Sequence, residues 1–521
     1  MNRFFIIFIY LFLMATIHCG ENRNQTPSEP EVSVEEEIPT SVLLQNLDAE
    51  DVFTRSQATI QLGSRNVKVA IPKLRLLLND KNPGVRAGAA IALGDLQDKK
   101  STNTIVRLLS EDSENPKDVY LDALTRMKDV SASSSIYPLL DSDNPTLRLQ
   151  TVEALVQLGA KQVGGQILIL AKKNSDREKA KTFAMALGKL KFSPAESYLV
   201  GLTKLEDGSP TLAASYLALG RIGAKSSAQI LVEAISKKYS KGKENASLAL
   251  IEIGDAKVIP GVFPTLTSED DETRMYGTDV LCNIPSIEAA KLAFGVLNSD
   301  KMKFWGSAAK VIGRQKYKEA RSKLESLLVD KNAPDRDSFA EALGWIGDPG
   351  SIPVLRKVLV SGDKEGPYGS AWALGILRAE EAVPDLIDVL DGDDAKLTSY
   401  ALEALGSIAH PSSLDALENF LKKRPKLAPQ ILSAITLIPT DRALDVLHSA
   451  MESKDEDVYR PAMEEVARRK DKKSIPILIS FVRANNAEKR RLSYYALTSI
   501  TGERFRTAKD WIDWASKNSI K

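Results

Sequence analysis

Side chains able to do covalent or metal chemistry are scarce in this chain. Its histidines are His18, His410 and His448, and its cysteines are Cys19 and Cys282. Two isolated imidazoles at positions 410 and 448 do not have the spacing of a zinc or iron site. No histidine is followed by glutamate, and there is no Gly-x-Ser-x-Gly elbow, no phosphate loop ending in Gly-Lys-Ser/Thr and no Cys-x-x-Cys. Gly362-Asp-Lys-Glu-Gly366 is glycine-rich but opens a helix. Scattered carboxylates in a chain that is 27% charged are expected to be solvated faces. The expectation is therefore no enzyme: no catalytic residue, no metal and no cofactor.

Recognition chemistry is better supplied. Tyr276, Trp305, Tyr368, Trp372 and Tyr400 are large amphipathic rings gathered in the middle of the chain. Tyr368 and Trp372 are i, i+4 and share a helix face, with Gly366 and Gly369 beside them. Clustered rings of this kind suit a protein-binding hot spot, which places a partner site in about residues 270–405. Rings that fill gaps between helices would give the same pattern.

The elements that must hold these rings repeat. In Ala342-Leu-Gly-Trp-Ile-Gly-Asp-Pro-Gly-Ser-Ile-Pro-Val-Leu355, an apolar pair precedes Gly344, and Pro353 suits a first helical turn. Gly344 would fit a left-handed helix stop. The same slot recurs at Gly63, Gly94, Thr125, Val156, Gly188, Gly220, Ile251, Cys282, Gly313, Gly375, Gly406, Thr436, Ala467 and Thr498, in steps of 30 to 32 residues. The residue before it is always Leu, Ile or Val, and the one before that is Ala in eleven of the fifteen. Such a period, with an apolar face that one hairpin cannot bury alone, marks a stacked solenoid. In the second helix of each hairpin, Val85, Ala89, Ala92 and Leu93 form one buried stripe. Small residues four before Leu93 and its equivalents (Ala58, Ala246, Ala308, Ser370, Ala401) let neighbours approach. Eight before the slot stand Arg55, Arg86, Arg148, Arg274, Arg336 and Arg490, with Lys117 and Lys243. They are expected to pair with the acidic turns before them, as Asp80/Arg86, Asp141/Arg148 and Asp330/Arg336.

Val85-Arg86, Ala89, Ala92-Leu93-Gly94, Ile346-Gly347-Asp348 and Ile352-Pro353-Val-Leu355 resemble HEAT repeats, in the short form named after phycobilisome lyases. The repeats at Thr125, Cys282, Thr436 and Ala467 match only in their apolar positions. The resemblance implies an all-α fold over 41–498: a right-handed α-solenoid of about fifteen helical hairpins of ~31 residues, whose second helices line a concave groove that binds other proteins. It also implies the alternatives of a ligand carrier or an enzyme that borrows the repeat, a bilin lyase or a metal-dependent hydroxylase. The latter uses His-Glu pairs that this sequence lacks.

The two ends differ. Arg3, the apolar run Phe4–Ile17 and the following Cys19 read as a signal over 1–18, too short for the roughly 20 residues of a membrane span. Cys19 resembles the acylated cysteine of a bacterial lipoprotein, although Thr16 and His18 depart from that family's pattern. The resemblance implies an exported, lipid-anchored envelope protein. Residues 19–40, with six Glu and three Pro, read as a disordered acidic tether reaching roughly 25 Å. An envelope component with a purely structural role would share all of this. Without residues 1–18, which hold only Arg3 among charged groups, basic and acidic side chains balance at 69 each. That neutrality argues against nucleic acid as a partner. With Cys19 committed to lipid, Cys282 is expected to be a small buried residue. At the other end, Trp511 and Trp514 share a face of a capping helix within 499–521. The runs Arg468-Arg-Lys470, Lys472-Lys473 and Lys489-Arg-Arg491 make a modest basic patch that could meet an acidic lipid or partner.

Overall fold

The computed structural model describes residues 38–206, 208–238 and 240–520. The signal segment, Cys19 and all but the last residues of the tether lie outside the described residues. Among those described there is no strand, and no helix is long and apolar enough to cross a membrane.

The chain is an α-solenoid. A typical hairpin runs from a short 3-10 turn at Pro349–Ser351 into a first helix, Ile352–Leu359, with Pro353 in its opening turn, and returns through a second, Pro367–Ile376. Second helices pack on second helices, as Val52–Ser64 on Pro83–Asp95 and that on Lys117–Met127, while the first helices form the outer layer. Asp or Asn begins many second helices because its side-chain oxygen accepts the orphan amides of the first turn; Asn82 takes those of Gly84 and Val85. One apolar core runs unbroken from Leu43 to Trp511.

The recurring glycine does not stop the helix. Gly344 lies inside Arg336–Ile346, and the left-handed residue is Gly347, at φ 77°. Three residues past the slot, positive φ recurs at Asn66, Gln97, Lys128, Gly159, Lys191, Gly223, Gly254, Lys316, Arg378, Ala409 and Lys470. The glycine is there for contact. A Cβ on Gly188 would stand 2.7 Å from Ala218 Cα, one on Gly63 2.6 Å from Ala92 Cα, and one on Gly313 2.7 Å from Ala342 Cα. These alanines are the residues two before the next slot, so glycine and alanine are two halves of one backbone-to-backbone contact.

The basic slot forms a clasp, but with a different carboxylate from the one expected. Arg86 donates to the backbone carbonyls of Asp80 and Lys81 in its own turn, and its other nitrogens reach Asp112 of the next repeat at 2.9 and 3.0 Å. Asp80 itself accepts from Arg55 of the previous repeat. Likewise Arg336 pairs with Asp363 rather than Asp330, and Arg148 takes the carbonyls of Ser142 and Asp143 rather than the side chain of Asp141. The guanidinium groups of Arg55, Arg86 and Arg336 therefore tie one hairpin to the next, which fixes the stacking step there, whereas Arg148 and Arg490 bond carbonyls of their own turns.

The final helix, Ala508–Lys517, closes the core. Trp511 is fully buried, edge-on to Phe505 at 5.0 Å and to Trp514 at 5.8 Å.

Candidate functional site

A hollow of about 500 Å³ opens on the face of five successive second helices, Asp271–Asn283, Trp305–Arg314, Arg336–Ile346, Pro367–Ile376 and Ala395–Ile408. Its lining comes from two register positions. Three before the slot stand Asp279, Lys310, Glu341, Trp372 and Glu403, and one after it Asn283, Arg314 and Trp345. Tyr400 and Cys282 complete the wall. These positions lie on the open face of the second helices, where Trp372 also packs against the core and beside Gly344 of the neighbouring helix.

Two ring pairs dominate. Trp345 and Trp372 meet at 5.1 Å with planes tilted by 54°, and the Arg314 guanidinium covers Trp345 at 4.6 Å. Tyr368 and Tyr400 lie 6.0 Å apart, with the Lys396 ammonium 4.2 Å from the Tyr368 centroid. Tyr368 is held by its hydroxyl, which donates to Asp394 at 2.8 Å. That carboxylate also accepts the amides of Leu397 and Lys396, and together these bonds hold its pKa below the usual range. The two glycines beside the rings explain their placement. Asp337 accepts the amides of Gly366 and Gly369 at 3.0 and 2.8 Å, Gly366 sits at φ 103°, and a Cβ on Gly369 would stand 2.3 Å from the Asp337 carbonyl oxygen. Only glycine allows that approach, which draws the start of Pro367–Ile376 onto the preceding helix and presents Tyr368 and Trp372 at the surface.

Charge is interleaved with the rings. Lys310 pairs with Asp279 at 3.3 Å, and the Glu341 carboxyl is raised above its ordinary value by desolvation and by neighbouring Asp337. Cys282 is buried, and desolvation pushes its thiol up to about 12, so it stays protonated and unreactive. His410 bonds Ser412, and His448 bonds Ser474 in another repeat. Among the described residues no three His, Cys, Asp or Glu side chains stand together as a metal site would require.

Of the five rings singled out in the sequence, three belong to this cluster: Tyr368, Trp372 and Tyr400. Tyr276 is half-buried on Asp271–Asn283, the first of these helices, near Glu244, Glu272 and Asp279, but does not line the hollow. Trp305 turns the other way. Its indole N–H donates to the Ser299 carbonyl at 3.1 Å and its ring lies near Lys323 on the outer layer. Trp345 joins the cluster without having been expected there. Its signal was its position one after the slot, which repeats as an outward-facing register.

Family comparisons agree with this architecture. A family model described as HEAT repeats matches residues 40–119 and 297–374, and one described as PBS lyase HEAT-like repeat matches residues 367–392. The chain carries HEAT repeats. No curated protein matches its sequence. Among solved structures it is similar to Kap121p bound to Ste12p, with 14% identity and a TM-score of 0.50, over 86% of this chain and 59% of that one. It is also similar to importin beta in an ammonium sulfate condition, with 14% identity and a TM-score of 0.46, over 92% and 79%. This chain thus spans 59% of the Kap121p chain, and at these identities the likeness is one of fold.

Proposed function

We propose that this HEAT-repeat solenoid is a non-enzymatic scaffold or adaptor that holds another protein in the groove of its second helices. The observation that carries this reading is two ring pairs on neighbouring helices, Trp345 with Trp372 and Tyr368 with Tyr400, three of whose rings line an open hollow. These rings are fixed by Asp337, Asp394 and two glycines yet remain partly accessible, the combination of rigidity and exposure that a hot spot requires. Glu341 and Glu403 beside them favour an apolar or aromatic anchor with basic neighbours. The N-terminal signal and Cys19 further support a lipid-anchored, exported protein whose groove works at a bacterial envelope.

Crosslinking on intact cells, with mass spectrometry to identify the product, tests the groove. A partner crosslinked to the native chain is expected to be lost in Trp345→Ala/Trp372→Ala with the helical melting curve kept. Retention of that partner by the double variant would overturn the assignment. For the anchor, Cys19→Ala protein is expected to leave the detergent phase; acylated protein from that variant would refute it.

A further inference from the structure

Two repeats depart from the others in the same way, yet only one of them leaves an open cavity. Three residues past the slot, where most repeats turn left-handed, these two carry Pro285 and Pro439. Proline cannot take positive φ, and it forces the residue before it to extend; Ile284 and Ile438 do so, at ψ 113° and 118°. The next helix then begins at once on a Ser286 or Thr440 cap, without the 3-10 turn seen in the typical hairpin.

At Pro285 the resulting gap is plugged. Gln315 donates to the carbonyls of Leu281 and Ile284 at 2.6 and 2.8 Å and accepts the amide of Ser286 at 2.9 Å, while buried Tyr317 meets Phe294 edge-on at 5.8 Å. The corresponding positions of the later repeat hold Arg469, Asp471 and His448. None is a plug. His448 turns to Ser474, Asp471 accepts the Lys473 amide and the Ser474 hydroxyl, and Arg469 spends one nitrogen on the Thr436 carbonyl. A cavity of about 600 Å³ remains between the two connections. Lys473 is neutralised by Asp441 at 3.0 Å. Arg469, Lys470 and Lys472 line the same cavity with no carboxylate bonded to any of them, and half-buried Leu444 and exposed Leu437 form an apolar wall.

We propose that this cavity binds a phosphate-bearing ligand, its phosphate held by Arg469, Lys470 and Lys472 and its organic part against Leu437 and Leu444. A planar guanidinium flanked by two ammonium groups suits phosphate oxygens. The equivalent gap carries Lys316 and Lys318 at the positions of Lys470 and Lys472 but has the neutral Gln315 where Arg469 stands, and there the protein fills the space itself. In the later repeat the guanidinium spends one nitrogen on the Thr436 carbonyl and its remaining nitrogens have no carboxylate bond. The site lies on the connections between hairpins, apart from the ring cluster, so it can be occupied together with a protein partner.

The test is calorimetric titration of the purified chain with inorganic pyrophosphate, and in parallel sedimentation with vesicles containing phosphatidylglycerol, which separates a soluble phosphate from a lipid headgroup. Arg469→Gln removes the charge but can keep the carbonyl bond, as Gln315 does, and Lys472→Ala touches no packed side chain. Both variants are expected to melt like the native chain and to weaken binding about tenfold or more, the worth of one charged hydrogen bond. Binding in either arm that both variants weaken supports the site and identifies its source. Failure of both probes to bind, or binding unchanged in Arg469→Gln, overturns it.

Discussion

Adding one methyl group at Gly188 tests why the repeat keeps its glycine. Gly188 lies inside the helix Arg177–Lys189, so alanine there carries no left-handed penalty and by propensity alone would stabilise by about 1 kcal/mol. Against this, the new Cβ would sit 2.7 Å from both Cα and Cβ of Ala218. Overpacking costs about 1–3 kcal/mol, towards the upper end when the obstacle is backbone. The balance is a destabilisation of about 1–2 kcal/mol. Ala218→Gly in the same molecule is expected to restore only part of it, because the clash with the Cα remains. Urea unfolding followed by circular dichroism measures both, using midpoints because a repeat array need not unfold in one step. Stabilisation by Gly188→Ala would refute the contact explanation, and so would full rescue by Ala218→Gly.

Other consequences follow from the clasps and the cap. Arg86→Met removes the counter-charge of the buried Asp112 carboxylate, which keeps its bonds from Tyr120, Asn115 and the Glu114 amide, and is expected to cost about 3 kcal/mol, visible as an earlier urea midpoint. The hydrogen bond from Arg86 holds Asp112 well below the usual carboxylate range, and that from Lys243 lowers Asp270 to about 2. Groups with depressed folded pKa stabilise above their unfolded value near 4 and lose that contribution as pH falls towards the folded one. Thermal melts are therefore expected to be flat from neutral pH to about 5 and to decline from about 4 to 2. Trp511→Ala empties the end of the core, with an expected loss of about 3–5 kcal/mol and aggregation on size-exclusion chromatography.

The architecture was legible because packing writes it into spacing. Alanine two before the slot, an aliphatic residue one before it and the proline at the next helix start all serve contacts that recur with each hairpin. What could not be read were choices between two equally spaced causes. A glycine near a helix end fits either a left-handed stop or a close approach, and only the position of Ala373 against Gly344 decides. Arg86 has an acidic residue in its own turn and another one repeat on, and the direction of its side chain selects Asp112. Trp305 and Trp372 look alike in sequence, but Trp305 begins its helix, where the indole folds back onto the preceding loop at Ser299. Trp345 went unnoticed because it adjoins the glycine that seemed to explain its whole neighbourhood.

Hydrogen exchange on the purified chain, alone and with the protein recovered by crosslinking, tests the groove most directly. Added protection is expected on Arg336–Ile346, Pro367–Ile376 and Ala395–Ile408, with little change on the outer helices such as Ile352–Leu359. Protection confined to the outer layer or to the two ends would contradict the account.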